Sequence, residues 1–217
     1  MTLFSIRTAL VLCLATSLAA CGGGDDKATF VVGGSAYGLA YTGLKLASGD
    51  QTIAVEPKLV SGVPQAVPHA FPKTIEYGTT YTVTVAESPA KQSCAVDLFG
   101  TDLKNIDSAG HTATINVGVT CKTYTYPIGG AIKGLTSAGL VLTNGSDPVT
   151  VAPAAGATTF AFTNNVQVDI AYGVSILAQP ADDTCTVVNG TGIMPNNALS
   201  DTSANAITVT CVPKQKS

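Results

Sequence analysis

Short segments in which apolar and polar residues alternate recur along the chain after residue 30. Residues 81–85, 115–119 and 207–211 each place every second side chain on the same face. A period of two is typical of β-strands with one buried and one solvent-facing side. Turn-forming clusters such as 48–50, 144–148 and 189–192 separate these segments. No segment has a sustained helical period, so the pattern predicts an all-β protein with very little helix.

The alternating segments occur twice, because the chain after its N-terminal leader is an internal duplication. The start of the first copy recurs 96 positions later, so that Gly33-Gly34 corresponds to Gly129-Gly130. Towards the end of each copy the offset is 91, which aligns Cys94 with Cys185. The aligned aromatic residues, which we assign to two hydrophobic cores, are Phe71 with Phe162 and Tyr81 with Tyr172.

The change in offset means that the first copy carries five additional residues between Val55 and Phe71. Gly62, Pro64 and Pro68 lie in this segment. Because these residue types favour turns and interrupt strands, we expect the additional length to form a loop rather than a strand.

Each copy has about 90 residues of short strands divided by turns, which is typical of a β-sandwich. We therefore predict two tandem sandwich domains, at residues 30–122 and 123–217. The connecting segment 122–127 continues the alternation and ends in Pro127, whose ring fixes one backbone angle. We expect a stiff connection, since a flexible one would be rich in Gly and Ser.

Four cysteines, two in each copy, allow three disulfide pairings. If each copy closes on itself, the pairs are Cys94–Cys121 and Cys185–Cys211. In the chain-entropy treatment, loops of this length correspond to about 3 to 4 kcal/mol of stabilisation each. A metal–thiolate site is the alternative, but the sequence has no CxxC motif.

The repeated pattern GG-x₃-GL-x₃-GL-x-L, the late Phe, Tyr-x-Val-x-Val and Pro before Cys together resemble a repeat of bacterial surface lipoproteins. The resemblance covers nearly all of residues 30–212 and implies an immunoglobulin-like or Cna-B/transthyretin-like sandwich. It transfers no catalytic or ligand-binding residue. The first copy departs from the pattern by its Pro-containing insertion and by having no Asn-Gly turn after Val96.

The leader has a weakly positive start at Arg7, an apolar centre over residues 9–15 and small residues up to Ala20. The apolar run is too short to span a membrane, which takes about 20 residues. Residues 18–21, Leu-Ala-Ala-Cys, resemble a bacterial lipobox, although an ordinary secretory signal would have a similar leader. The resemblance implies removal of a signal peptide at 1–20, lipidation of Cys21 and a tether at 21–29. Gly22 after Cys21 favours the outer membrane over the inner one, by resemblance to sorting in this class.

Composition and charge exclude one class of partner from those expected. Charged residues are 12% of the chain, and Arg7 is the only arginine. Its loss with the leader changes the formal net charge from −3 to −4, since 10 Lys then face 14 Asp and Glu. Nucleic acid is therefore not an expected partner. The expected partners are a membrane, through the N-terminal lipid, and another envelope or surface protein.

The sequence contains no recognised catalytic motif, phosphate-binding loop or dinucleotide fingerprint, so we predict a non-enzymatic protein without cofactor or metal. His69 and His111 lie in the first copy alone, and we expect each to be solvated in a loop. The aspartates 147, 182, 183 and 201 fall in predicted turns. They suit backbone hydrogen bonding better than calcium binding, although the latter stays open.

The tyrosines that lack a counterpart in the other copy include Tyr37, Tyr41, Tyr124 and Tyr126. Tyr124 and Tyr126, between the copies, are the candidates for a binding surface, with packing at the junction as the alternative interpretation. The first functional hypothesis is a membrane-anchored spacer or protein–protein interaction module. The second is a module that binds a glycan or a small ligand, which would need exposed aromatic side chains.

Overall fold

The computed structural model describes residues 27–99, 104–145, 149–196 and 207–215, which form strands and turns with no helix among them. The predicted signal peptide, Cys21 and most of the predicted tether lie outside the described residues, as do Asp147 and Asp201. Within the described part, no helix is long and apolar enough to cross a membrane.

The first copy of the duplication, module 1, is built from short strands. They are β1 (Thr29–Phe30), β2 (Val32–Tyr37), β3 (Leu44–Ser48), β4 (Gln51–Val55), β5 (Leu59–Val60), β6 (Val63–Pro64), β7 (Val67–Ala70), β8 (Ile75–Glu76), β9 (Thr80–Thr82), β10 (Thr84–Glu87), β11 (Gln92–Val96), β12 (Ile106–Ser108) and β13 (Ile115–Thr123). One sheet has the order β11-β13-β2-β7 and the other β10-β3-β4, with small pairs β1-β8, β9-β12 and β5-β6.

The second copy, module 2, repeats this arrangement. Its strands are β14 (Thr125–Tyr126), β15 (Gly129–Lys133), β16 (Val141–Asn144), β17 (Thr150–Val151), β18 (Thr159–Ala161), β19 (Val166–Gln167), β20 (Ala171–Ala178), β21 (Asp183–Val188), β22 (Thr191–Ile193) and β23 (Ile207–Pro213). The sheets are β18-β15-β23-β21 and β17-β16-β20-β22, and β14 pairs with β19. The fold is all-β with two tandem sandwiches, which confirms the fold class predicted from the alternation.

Each module has its own hydrophobic core between its two sheets, and the two cores share no residue. The leucines that recur along the sequence, Leu44 with Leu140 and Leu46 with Leu142, are all fully buried. The aligned aromatic residues are buried as predicted: Phe71, Tyr81, Phe162 and Tyr172. The duplicated pattern therefore specifies the two cores.

The repeated Gly-Gly pair lies where an early strand of each module runs parallel to the last one. In module 1, β2 pairs with β13, and in module 2, β15 pairs with β23. A Cβ atom at Gly34 or Gly130 would collide with the backbone of Val117 or Ile207, respectively. Only glycine permits this close approach of the two strands.

A buried polar side chain near each disulfide holds the loop that follows β2 or β15. The disulfides Cys94–Cys121 and Cys185–Cys211 join directly opposed residues of adjacent strands. Two residues before the first cysteine of each pair stand Gln92 and Asp183, both completely buried. The duplication therefore places an amide in one module where the other has a carboxylate.

Gln92 is bonded at both ends of its amide. Its Oε1 accepts hydrogen bonds from the backbone N–H groups of Ala40 (2.9 Å) and Tyr41 (3.1 Å). Its Nε2 donates to the carbonyl of Gly38 (2.7 Å) and to Thr123 Oγ1 (3.2 Å). The loop after β2 is therefore fastened to β11 across the sheet.

Asp183 makes the corresponding bonds in module 2. Its Oδ2 accepts from the backbone N–H groups of Thr136 (2.9 Å) and Ser137 (2.8 Å), and the two hydroxyls also donate to the carboxylate. The hydrogen bonds from Thr136 come first among the causes that lower the pKa of Asp183, to about 2. The aspartate that the sequence placed in a turn is instead the first residue of β21.

The insertion in module 1 is not the predicted loop. It contains the hairpin β5–β6, whose two-residue turn is Ser61-Gly62. Both turn residues have positive φ, 50° and 79°, as in the turn type whose twist suits a tight hairpin. The prediction was wrong because the prolines lie where they need not donate to a sheet, at the end of β6 and in the edge strand β7.

The pKa of Asp183 predicts that module 2 loses stability in acid. Its folded pKa of about 2 lies below the ordinary value of about 3.9, so its contribution to stability is complete above pH 4 and is lost as the pH falls towards 2. Amide hydrogen exchange in β21 and β23, measured between pH 5 and 2, is expected to show this loss.

The variant Asp183→Asn is expected to be less stable than the wild type at pH 7, because a neutral amide oxygen is a weaker acceptor than the carboxylate for the N–H groups of Thr136 and Ser137. Its module 2 is expected to change less between pH 4 and 2. The comparison is made within module 2, between the wild type and the variant, because buried His69 makes module 1 sensitive to acid as well. Equal acid dependence of module 2 in the wild type and the variant would contradict the assignment.

Candidate functional site at the module junction

The connection between the modules is bonded to both of them through one residue. Tyr124 lies between β13 and β14. Its N–H donates to the carbonyl of Lys91 in module 1 (3.1 Å), and its carbonyl accepts from the N–H of Val168 in module 2 (3.0 Å). Backbone hydrogen bonds on both sides of a single residue limit rotation of the connection.

An ion pair crosses the junction next to this connection. Lys91 Nζ donates to both carboxylate oxygens of Asp169, at 2.9 and 2.7 Å. The hydroxyl of Tyr41 also donates to Asp169 (3.1 Å), and Lys91 Nζ lies 5.4 Å from the centre of the Tyr41 ring. A lysine at this distance from an aromatic ring is attracted to it. The three side chains, which we call the junction triad, come from both modules.

The pKa shifts within the junction triad agree with its geometry. The hydrogen bond with Lys91 lowers the pKa of Asp169, and the same bond raises the pKa of Lys91. Burial, followed by the hydrogen bond to Asp169, raises the pKa of Tyr41. Lysine and aspartate are therefore charged and tyrosine neutral at pH 7. Because Lys91 and Asp169 are 37% and 44% exposed, solvent weakens the attraction between them.

Asp169 has a left-handed backbone, with φ of 63°, although it is not a glycine. The offset of 91 aligns it with Gly78, whose φ is 80°. Glycine adopts this conformation without strain, and aspartate tolerates it better than most residues do. Module 2 therefore carries a carboxylate, used at the junction, at a turn where module 1 has no side chain.

A second contact between the modules lies beside the junction triad. Asn196 of module 2 donates from Nδ2 to the carbonyl of Ala90 in module 1 (2.9 Å). The hydroxyl of Tyr126 donates to the backbone carbonyl of Asn196. The Ala90–Lys91 turn of module 1 is thus held by three polar groups from beyond it, on Tyr124, Asp169 and Asn196.

A groove of about 430 Å³ opens at the same junction, between the β5–β6 hairpin and the Asp169 turn. Its apolar wall includes Leu59 and Val63 of the hairpin and Ile170 of module 2, which are 48%, 59% and 52% exposed. Among the described residues, module 2 has no hairpin that corresponds to β5–β6, so this groove is not repeated there.

The candidate tyrosines Tyr124 and Tyr126 both lie at this junction. Tyr126 is half-buried against the core of module 2, and Tyr124 is 38% exposed. Tyr37 is 47% exposed on module 1. The packing interpretation therefore describes Tyr126, whereas Tyr124 keeps an accessible ring.

Sequence reasoning did not find the pairing of Lys91 with Asp169, which are 78 residues apart. The available signal was the aspartate aligned with a turn glycine. That comparison marks an unusual residue without identifying its partner.

A larger open groove, of about 760 Å³, lies on module 2. Its polar lining consists of amides and hydroxyls, including those of Asn144, Thr163, Asn165 and Gln167, with Ile170 at its apolar side. An uncharged lining of this kind suits hydroxyl-rich ligands better than charged ones.

The prediction of solvated loop histidines is confirmed for His111 and wrong for His69. His111 is half-exposed, and its Nδ1 lies 2.6 Å from Asp107 Oδ1. The backbone N–H of Ser108, followed by His111, lowers the pKa of Asp107. Among the described residues, no three His, Cys, Asp or Glu side chains form a group that could hold a metal ion.

His69 is 8% exposed, because it belongs to β7 and faces the core side of the sheet rather than a loop. Both ring nitrogens are buried and have no hydrogen-bond partner. Burial lowers the pKa of His69. The offset of 91 aligns it with the buried Phe160, so module 2 has an apolar ring at this position.

Burial of His69 predicts that module 1 weakens in mild acid. Its folded pKa lies below the unfolded value of about 6.5, so the unfolded chain binds the proton first and unfolding becomes easier as the pH falls below 6.5. Glu56 is the charged group that shares its cleft. Urea unfolding of module 1 at pH 7.5 and 5.0 is expected to show the loss, and His69→Phe to remove it. A variant with the pH dependence of the wild type would show that another group is responsible.

Comparison with known proteins does not identify a family for this chain. No protein-family model matches the chain, and no curated protein matches it. Among solved structures, the chain is similar to the major pilin protein T-13 of Streptococcus pyogenes serotype GAS131465. The identity is 13% over 88% of this chain and 98% of the pilin, with a TM-score of 0.24. A likeness at this level carries no functional argument.

Proposed function

We propose that this chain is a lipid-anchored, non-enzymatic protein of the bacterial cell envelope, in which two sandwiches form a stiff spacer that presents a protein-interaction surface. The observation that carries the spacer role is the junction itself. Three kinds of contact cross it. They are the backbone hydrogen bonds of Tyr124, the ion pair of Lys91 and Asp169 with the hydroxyl of Tyr41, and the hydrogen bond from the side-chain amide of Asn196. A freely hinged pair of modules would not need these contacts.

The anchoring part of the proposal depends on residues 18–21. Cleavage before Cys21 would leave its thiol as the site of diacylglycerol attachment. The resulting protein would be held to an envelope membrane, with the outer membrane favoured by Gly22. The oxidising envelope would also allow the two disulfides to persist.

Binding of a glycan or a small ligand is the second candidate function. The observation that favours it is the amide-lined groove on module 2, together with the exposed rings of Tyr37 and Tyr124. The groove and these tyrosines do not share lining residues, so a single binding strip is less well supported than the spacer.

Stiffness of the junction is tested by Asp169→Gly, which keeps the left-handed backbone but removes the carboxylate. We expect amide exchange at Tyr124 and Val168 to become several-fold faster, and small-angle X-ray scattering to give a broader distribution of distances. Exchange at the core residue Val117 is expected to stay unchanged.

The matched control is Glu87→Gln, which breaks an exposed ion pair with Lys45 inside module 1. It is expected to leave the exchange at Val168 as in the wild type. If Asp169→Gly also leaves it unchanged, the triad does not stiffen the junction.

Anchoring is tested by growing cells that express the chain with radioactive palmitate. The wild type is expected to carry the label and to sediment with membranes, and Cys21→Ser to lose both properties. Cys13→Ser is the matched control, because that cysteine would leave with the signal peptide, and it is expected to be labelled. Unlabelled wild-type protein, released free of membranes, would overturn the anchor.

A further inference from the structure

Module 1 has a lateral cleft where its two sheets do not join. The cleft has a volume of about 460 Å³. Residues 53–55 of β4, the following Glu56 and residues 67–70 of β7 line it. β4 is the edge strand of the three-stranded sheet, and β7 is the edge strand of the four-stranded sheet. The cleft therefore lies between two strands that each lack a neighbour on one side.

The backbone of β4 is suited to pairing with another strand. Its five residues include neither proline nor a charged side chain. The two-residue turn that closes the β3–β4 hairpin pairs Ser48 with Gln51, and the alternation of the ladder then directs the backbone groups of Thr52 and Ala54 away from β3. Edge strands without protective residues are templates for strand addition. β7 is a poorer template, because Pro68 has no N–H.

His69 provides an independent sign that something occupies the cleft. It lines the cleft, it is more than nine-tenths buried, and both ring nitrogens lack a partner. A buried polar group without a hydrogen bond is destabilising. The strand registers place Phe160 at the corresponding position of module 2, opposite Gly130 as His69 is opposite Gly34. The fold therefore accepts an apolar ring there, and the imidazole is not required for folding.

We propose that the cleft between β4 and β7 binds an extended segment of a partner polypeptide, which adds to the free edge of β4 and supplies the hydrogen-bond partner of His69. The inference rests on the proposed role as a protein-interaction module. Addition of a strand to a sheet edge gains affinity from backbone hydrogen bonds and specificity from alternate side chains. Because Ile53, Val55 and Val67 line the cleft, those alternate side chains would be small and apolar. Glu56 at the end of β4 favours a basic residue at one end of the segment.

The test uses the purified full-length protein, labelled with ¹⁵N, and the capped peptide Val-Thr-Val-Thr-Val-Thr-Lys as the probe. We expect saturable changes in the resonances of Thr52, Ala54 and the His69 ring. The same peptide with a central proline is expected to cause none, because it cannot complete the ladder.

Two variants at one position separate backbone pairing from side-chain effects. Ala54→Pro removes an N–H that points away from β3, and we expect at least tenfold weaker binding with the fold retained. Ala54→Val keeps that N–H and is expected to bind as the wild type does. Equal binding by the two variants would exclude pairing at this edge.

His69→Phe places the module 2 residue in module 1. We expect it to raise the Tm of the free protein by about 5 °C, as removal of one unsatisfied polar group would in a domain of this size, and to weaken peptide binding at least tenfold. A purely structural role of His69 would change the Tm alone. Unchanged binding in His69→Phe would therefore overturn its part in the site.

The remaining outcomes also decide the matter. If millimolar peptide causes no change in the wild type, the proposal is wrong. If the β4 resonances depend on protein concentration, and Ala54→Pro abolishes that dependence, the edge pairs with a second copy and the proposed partner is wrong. If palmitate labelling fails but the peptide binds, the anchor is wrong and the peptide site still stands.

Discussion

The rest of the structure depends on the close parallel pairing of an early strand with the last strand in each module, β2 with β13 and β15 with β23. β2 lies against β13 with no room for a side chain at Gly34, and Gln92 on β11 holds the loop that leaves β2. The disulfide joins β11 to β13. Three strands from opposite ends of the module are thus tied together. With 12% charged and 6% aromatic residues, the chain has few other strong contacts to close so small a core.

The duplication acts as an internal control on this constraint. Gln92 and Asp183 hold the same loop with different chemistry, so the fold requires hydrogen-bond acceptors at that point rather than a particular residue. Only the carboxylate makes the arrangement sensitive to acid. At two further unequal positions, His69 with Phe160 and Gly78 with Asp169, one copy carries a polar side chain that the common fold does not require. His69 lines the lateral cleft, and Asp169 forms part of the junction. Differences between the copies therefore coincide with the two candidate functional surfaces.

The sequence predicted the strands, the cores and the cysteine pairing because these follow from local alternation and from alignment of the two copies. It could not predict that His69 is buried, because that depends on which sheet edge β7 joins. The alternation in 67–70 is short and contains a proline, which is a typical loop signal. The hairpin was missed because its turn requires a serine at positive φ, which serine rarely adopts.

The junction was equally beyond a local reading, since Lys91 and Asp169 meet only when both modules are folded. The length of the tether nevertheless limits the distance between module 1 and the membrane. If Cys21 carries the lipid, the eight residues to Thr29 reach at most about 28 Å when fully extended. β1 is fixed to module 1 by its pairing with β8, and Lys27 lies 3.3 Å from Glu76. Module 1 would then stay within a few tens of ångströms of the membrane. If the junction also resists hinging, the orientation of module 1 would set that of module 2. A partner strand would then have to reach the cleft within that limited zone.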